Sequence, residues 1–74
     1  MEKYSVIIRD LRMDHKLSQY DLAKLLNISQ SSIARYELGQ TEPKASDIIK
    51  LCNFFDVSAD FLLCDSLVEA DKIY

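Results

Sequence analysis

Apolar residues recur along this chain at intervals of three and four positions, which is the period of an amphipathic α-helix. The pattern separates into five short segments. The first runs from about Tyr4 to His15. Four of its residues share one face: Tyr4, Ile8, Leu11 and His15. Val6 and Ile7 lie off that face, and we expect both to be partly exposed.

The second segment carries signals at both of its ends. Ser18 is a suitable N-cap, and Asp21, three positions later, can complete a capping box. The predicted inner face of this helix consists of Leu22, Ala23, Leu25 and Leu26. Asn27 tolerates the left-handed backbone of a sharp helix exit, so it predicts the end of the helix.

The third segment begins after an N-cap at Ser29 and continues to about Leu38, and Gly39 supplies the exit turn. Ile33 and Tyr36 point inward in this helix. Its predicted outer face consists of Gln30, Ser31, Ala34 and Arg35.

The joint between the second and third helices is the most informative part of the pattern. Ala23 is small enough for two helices to approach closely, and Ile28 and Ile33 can fill the angle between them. This geometry would hold the third helix on the surface, where it could enter a major groove.

Two more helices follow a loop at residues 39–44. The fourth runs from about Ser46 to Phe55, and Asp56 takes a left-handed turn after it. Its predicted buried residues are Ile48, Ile49, Leu51, Cys52 and Phe55. Ser58 caps a fifth helix with Phe61, Leu62 and Leu63. With one Gly and one Pro in 74 residues, the sequence predicts an all-α, compact five-helix domain.

The charge of the chain is unevenly distributed. The formal net charge is −3, whereas contact with nucleic-acid phosphates needs positive charge. Residues 1–44 carry seven Lys and Arg against six Asp and Glu, and residues 45–74 carry two against six. The acidic excess is therefore in the C-terminal third, away from the third helix.

The composition argues against several classes of function. One His and scattered carboxylates provide neither a nucleophile with its base nor metal-ligand spacing, so we expect no enzyme, cofactor or metal site. Instead, His15 is expected to pack at a helix end. Cys52 and Cys64 lack the C-x-x-C spacing and are expected to be packed free thiols, although a disulfide stays open.

The termini and the longest apolar runs bear on location. No apolar run is long enough to span a bilayer, and the N-terminus has no signal-peptide pattern. We therefore expect a cytoplasmic protein without a membrane partner, and no small-molecule ligand is evident.

The stretch from Ile8 to Leu63 resembles the Cro/CI-type helix-turn-helix family of bacterial and phage regulators, often called the Xre family. The matching pieces are Ile8-Arg9-Asp10-Leu11-Arg12, Leu17-Ser18-Gln19, Leu22-Ala23, Ile28-Ser29-Gln30-Ser31-Ser32-Ile33, Arg35-Tyr36-Glu37-x-Gly39, Pro43 and Val57-Ser58-x-Asp60-x-Leu62-Leu63. These pieces occur in the family's order and with its gaps. Asn27 and Asp56 stand where members usually have Gly, and the loop after Gly39 reads Gln-Thr-Glu where many have Lys or Arg.

The resemblance implies a lambda-repressor-like fold and a transcriptional regulator, in particular a repressor, that binds double-stranded DNA in a sequence-specific manner. The third helix would lie in the major groove, where Gln30, Ser31 and Arg35 would contact bases. The residues implied to contact or position phosphates are Gln19, Ser29, Ser32, Gln40, Thr41 and Lys44. In the family, the residue that matches Gln19 also braces the one that matches Gln30. Backbone N–H groups near Gln40 and Thr41 would hold further phosphates.

The resemblance also implies an internal brace and a dimer. Arg12 and Glu37 would form a salt bridge against the core. A homodimer would bind half-sites about one helical turn, roughly 34 Å, apart. The residues expected at its interface are Phe54, Phe61, Leu67, Val68 and Tyr74. Residues 1–65 would form the helix-turn-helix domain, and residues 66–74 a tail that either forms the dimer or is disordered.

Two alternatives stay open at this point. The acidic charge and the weakly basic loop favour a protein-interaction module that uses the same scaffold without binding DNA. In place of a dimer interface, Phe54 and Phe61 can complete the core while the tail frays.

Overall fold

Five α-helices and no strand make up residues 4–63, the part of the chain that this computed structural model describes. The helices are α1 (Tyr4–Asp14), α2 (Gln19–Leu26), α3 (Gln30–Leu38), α4 (Ala45–Phe55) and α5 (Ala59–Leu62). The predicted all-α, five-helix architecture is confirmed, and its boundaries agree to within a residue or two.

Serine caps begin three of the helices. Ser18 Oγ accepts a hydrogen bond from the Asp21 N–H at 3.0 Å, and the Asp21 carboxylate accepts one from the Ser18 N–H at 3.2 Å, which completes the predicted capping box. The hydroxyls of Ser29 and Ser58 accept backbone N–H groups at the starts of α3 and α5 in the same way. These bonds satisfy donors that a helix start leaves free.

Residues in the left-handed conformation end three of the helices, as the sequence predicts. The φ angles are 55° at Asn27, 73° at Gly39 and 56° at Asp56. Lys16, just after α1, has a φ of 56° that the sequence did not signal. The connections are therefore short and sharply turned, which holds consecutive helices at fixed angles.

The core draws one completely buried side chain from each helix: Ile8, Leu22, Ile33, Leu51 and Leu62. Burial of an aliphatic side chain of this size stabilises the fold by about 1.5–3 kcal/mol. Ala23 and Ile28 are also buried, at the joint where α2 contacts α3. The predicted packing of this joint is confirmed, and α3 is the helix that it supports.

Three burial predictions are wrong. Ile7 is only 6% exposed because both α3 and α5 pack against α1, which widens its buried arc. Leu25 is 58% exposed and Ile49 is 60% exposed. Successive helix residues are about 100° apart, so Leu25 stands roughly 110° from the middle of the arc formed by Leu22, Ala23 and Leu26. Ile49 stands roughly 140° from the middle of the arc that Leu51 and Phe55 define.

No helix within residues 4–63 is both long enough and apolar enough to cross a membrane.

Candidate nucleic-acid interface

The outer face of α3 presents three polar side chains to solvent. Gln30, Ser31 and Arg35 are all exposed, and Arg35 follows Ser31 by one helical turn. Ile33 and Tyr36, on the opposite side of the helix, are buried. The structure therefore brings together on one surface the three residues for which the sequence predicts base contacts.

The serine hydroxyls at the start of α3 bond to one another. Ser29 Oγ accepts the Ser32 N–H at 3.1 Å and donates to Ser32 Oγ at 2.8 Å. Ser31 Oγ lies 3.3 Å from Ser29 Oγ. Since the cap already uses the hydroxyls of Ser29 and Ser32, these two residues hold the first turn of α3 in place.

The loop after α3 supplies some of the predicted phosphate-contact groups but not all. The backbone N–H of Gln40 donates to the Arg35 carbonyl at 3.0 Å as part of the helix exit, so this N–H is not available for a phosphate. Thr41, Lys44 and the Gln40 side chain are exposed. Lys44 immediately precedes α4 and makes no side-chain cap bond there.

A buried ion pair lies behind α3. Arg12 Nε donates to Glu37 Oε2 at 2.6 Å, and Arg12 Nη2 donates to Glu37 Oε1 at 3.0 Å. The side chains are 14% and 4% exposed. These hydrogen bonds raise the pKa of the Arg12 guanidinium, against the opposing effect of burial. The salt bridge that the resemblance implies is therefore present, and it joins α1 to α3.

Gln19 also bonds to Glu37. Its Nε2 donates to Glu37 Oε1 at 3.1 Å, whereas the resemblance implies that Gln19 braces Gln30. Arg12 Nη1 donates in addition to the Leu17 carbonyl at 2.7 Å, just before α2. A single buried carboxylate thus ties α1, α2 and α3 together at the place where Gln19 begins α2.

A second buried polar contact at α3 was not expected from the sequence. The Tyr36 hydroxyl donates to Asp47 Oδ2 at 2.5 Å, and the two residues are each 4% exposed. Burial, and after it the bond to Asp47, raises the pKa of Tyr36. The signal available in the sequence was the spacing of Asp47 with Leu51 and Phe55, which places an acidic residue on the apolar stripe of α4.

The predicted dimer interface is only partly within the described residues. Phe54 is 37% exposed and Phe61 is 50% exposed, whereas Leu67, Val68 and Tyr74 lie outside residues 4–63.

His15 packs its ring edge to face with Phe55, at 4.9 Å between the ring centroids, and its centroid lies 6.0 Å from that of the Phe54 ring. This agrees with packing at a helix end.

Groups suited to metal or redox chemistry are sparse in the described part of the chain. Residues 4–63 contain no cluster of three His, Cys, Asp or Glu side chains that could hold a metal ion. Cys52 is a half-buried free thiol, and burial raises its pKa. Cys64 lies outside the described residues.

The family is established by a direct match. A family model described as helix-turn-helix covers residues 8–62. The chain belongs to the helix-turn-helix family of transcriptional regulators, in its Cro/CI (Xre) type.

Relatives found by sequence agree with this assignment. The chain is 37% identical over 60 residues to the uncharacterized HTH-type transcriptional regulator YqaE of Bacillus subtilis. This alignment covers 81% of this chain and 52% of YqaE. It is 32% identical over 69 residues to the cryptic phage CTXphi transcriptional repressor RstR of Vibrio cholerae, covering 93% of this chain and 62% of RstR. The chain thus spans less than two thirds of the length of either relative.

A solved structure also superimposes closely on this fold. The repressor protein c2 of phage P22, in complex with synthetic operator 9T, matches with a TM-score of 0.80 and 28% sequence identity. The match covers 85% of this chain and 96% of the repressor chain. The lambda-repressor-like class of fold predicted from the sequence is confirmed.

Proposed function

We propose that this chain is a DNA-binding domain of a transcriptional repressor and that α3 enters the major groove of double-stranded DNA. The observation that carries this proposal is the exposure of Gln30, Ser31 and Arg35 on one face of a short helix. The buried Arg12–Glu37 ion pair holds that helix from behind. A surface helix fixed on its inner side and polar on its outer side fits the requirements of base recognition.

Each of the three side chains has a chemical role in this proposal. The Gln30 amide can both donate to and accept from adenine, and the Arg35 guanidinium can donate twice to guanine. Ser31 is short and can bond to either type of base. Their spacing along α3, at its first turn and one turn later, would let them reach neighbouring base pairs.

Phosphate contacts would come from helix starts and from the loop at residues 39–44. Gln19 begins α2, where free N–H groups favour an anion, and Glu37 holds its side chain in place. Ser29 and Ser32 would position the start of α3, while Thr41, Lys44 and the side chain of Gln40 would contact the next phosphates. Contacts of this kind orient a protein on DNA without specifying sequence.

Selection of bound sequences from a random double-stranded DNA pool, at stated low salt, tests this proposal. We expect enrichment of a short motif, because specific binding should exceed non-specific binding by roughly 10³-fold or more. If a folded protein enriches nothing, the proposal is wrong and the protein-interaction alternative takes its place.

We further propose that the protein binds as a homodimer. One module reads only a few base pairs, and two half-sites together provide the specificity that a genome demands. Two aromatic side chains, Phe54 and Phe61, remain exposed near the C-terminal end of the described fold, which supports an interface there. We also propose a cytoplasmic location and no catalytic activity, in keeping with a role as a DNA-binding regulator.

Sedimentation at micromolar concentration, with and without DNA, tests the dimer. Phe61→Gln should shift the protein toward monomer, whereas Ile49→Gln should not, although Ile49 is similarly exposed. A wild-type protein that stays monomeric in both conditions and binds a single half-site would rule out the dimer.

A further inference from the structure

Tyr36 and Asp47 form the polar contact between α3 and α4 that the family resemblance did not supply. We propose that this hydrogen-bonded pair is a positioning device for base recognition, which sets the rotation of α3 and its register against the loop at residues 39–44. The inference rests on the proposed function. Neither residue touches DNA in this proposal, and both act through the position of α3.

The geometry of the pair suits a fixed anchor. The hydroxyl-to-carboxylate distance is 2.5 Å, and both residues are 4% exposed, so solvent does not compete for the bond. Asp47 lies in the first turn of α4, where the positive end of the helix dipole favours a carboxylate. The Asp47 backbone is also anchored, because its N–H donates to the Lys44 carbonyl at 3.0 Å.

The two polar anchors of α3 complement each other. Tyr36 and Glu37 are consecutive residues and therefore point about 100° apart around the helix. Glu37 bonds toward α1 and α2, and Tyr36 bonds toward α4. The burial of Ile33 and of the Tyr36 ring sets which side of α3 faces inward. Apolar contacts have little directional preference, so the two directional hydrogen bonds fix the remaining rotation of α3 about its axis.

Small rotations of α3 matter for recognition. A rotation of about 10° moves atoms at the outer radius of a helix by about 1 Å. Hydrogen bonds to bases tolerate less than this, since N–H···O distances fall within about 2.7–3.2 Å. Arg35 directly precedes Tyr36, so a rotation of Tyr36 would displace the base-contact face of α3.

The pair also joins α3 to the loop at residues 39–44. Asp47, which accepts the Tyr36 hydroxyl, also donates its backbone N–H to the carbonyl of Lys44 at the end of this loop. Through Asp47, the Tyr36 hydroxyl therefore links the helix proposed to contact bases with the segment proposed to contact phosphates. If this link is removed, phosphate contacts can form while the base contacts are out of register.

The test compares Tyr36→Phe with the wild type. The variant keeps the buried ring and removes only the hydroxyl. We expect the ratio of affinities for the selected operator and for unrelated DNA to fall about tenfold, the size of one lost base contact. Affinity for unrelated DNA should change little. Tyr4→Phe, which removes a hydroxyl from another partly buried tyrosine, is the matched control and should keep the wild-type ratio.

A second variant separates positioning from stability. Tyr36→Phe leaves the Asp47 carboxylate buried without its partner, which destabilises the fold. In Tyr36→Phe/Asp47→Leu both partners are apolar, so the melting temperature should recover. The affinity ratio should nevertheless stay low, because the directional bond is still absent.

Three results distinguish the possibilities when all variants are measured well below their melting temperatures. A wild-type ratio in folded Tyr36→Phe overturns the inference. Recovery of both melting temperature and ratio in the double variant also overturns it, because the pair would then act only on stability. Failure of the wild type to select any operator is a different outcome, since it overturns the proposed function itself.

Discussion

Ser29 and Gln30 are neighbours in the sequence, but the fold uses their side chains in different ways. The Ser29 hydroxyl bonds to the Ser32 N–H and to the Ser32 hydroxyl. The Gln30 side chain is exposed and makes no hydrogen bond within residues 4–63. One residue is therefore committed to the start of α3, and the next keeps its full capacity for a ligand.

Substitution of Gln30 by Ala should cost roughly 1–3 kcal/mol of binding free energy on the preferred site and relax the preference at one base position. The reason is that Ala keeps the helix and removes only the amide. Competition binding with the selected operator and its single-base variants measures both effects. Equal weakening on every sequence would show that Gln30 does not contact a base.

Lys44→Ala should have the opposite signature. Lys44 is exposed and its side chain takes no part in the α4 cap, so its loss should not disturb the fold. A lost phosphate contact weakens all sequences alike and lowers the slope of log affinity against log salt by about one. A change confined to one operator variant would contradict the phosphate role.

Among the connections between helices, the one after α1 is built from an unfavourable residue. Lys16 adopts a φ of 56°, a conformation that L-residues other than Asn and Asp seldom adopt. Asn27 adopts nearly the same angle, 55°, with a side chain that suits it. The same backbone geometry therefore carries different amounts of strain at the two helix exits.

We expect Lys16→Gly to raise the free energy of unfolding by roughly 0.5–1 kcal/mol, because relief of left-handed strain exceeds the added entropy of the unfolded chain. Asn27→Gly should give a smaller gain. Urea unfolding of both variants measures the difference. A larger gain at Asn27 than at Lys16 would contradict this account of the two turns.

The polar connection between α1 and α3 depends on one carboxylate. Glu37 accepts hydrogen bonds from Arg12 and Gln19. If one member of a buried ion pair is removed, the other is left charged and unpaired, which costs about 3–5 kcal/mol. The brace is therefore expected to couple the two helices strongly.

A double-mutant cycle with Arg12→Met and Glu37→Leu tests this coupling. Each single substitution should destabilise the protein by about 3–5 kcal/mol, and the double variant should be more stable than the sum of the two losses predicts. Unfolding in urea supplies all four free energies. A coupling energy near zero would show that the pair contributes as little as a surface salt bridge.

For the molecule as a whole, the titration of the buried Tyr36 and the partly buried Tyr4 links stability to pH. Burial raises the pKa of Tyr36 and of Tyr4, with further contributions from Asp47 at Tyr36 and from Glu42 at Tyr4. A raised pKa means that the fold favours the protonated phenol. This contribution to stability is complete below the unfolded value of about 10 and is lost as the pH rises through the higher folded value.

We therefore expect the urea midpoint of the wild type to fall as the pH rises above about 10. Tyr36→Phe should fall less steeply across the same range, because one titrating group has been removed. Tyr20→Phe is the control, since Tyr20 is 58% exposed. Identical slopes for Tyr36→Phe and the wild type would show that Tyr36 does not contribute to the alkaline loss.

The sequence alone was sufficient for the five helices, for the three serine-capped starts and for the left-handed exits at Asn27, Gly39 and Asp56. These features depend on residues within about four positions of each other, as with Ser18 and Asp21. It also indicated that Gln30, Ser31 and Arg35 face outward, because the buried Ile33 and Tyr36 define the opposite side of α3. The Arg12–Glu37 pair came from the family resemblance rather than from local pattern.

Only the tertiary structure decided which distant side chains meet. Gln19 bonds to Glu37 and Tyr36 bonds to Asp47, across 18 and 11 positions of sequence. Leu25 is exposed although it is as apolar as its buried neighbours. The physical reason is that periodicity determines which side of a helix is apolar, whereas the angles at which helices pack determine how wide the covered arc is and which polar groups come within hydrogen-bonding distance.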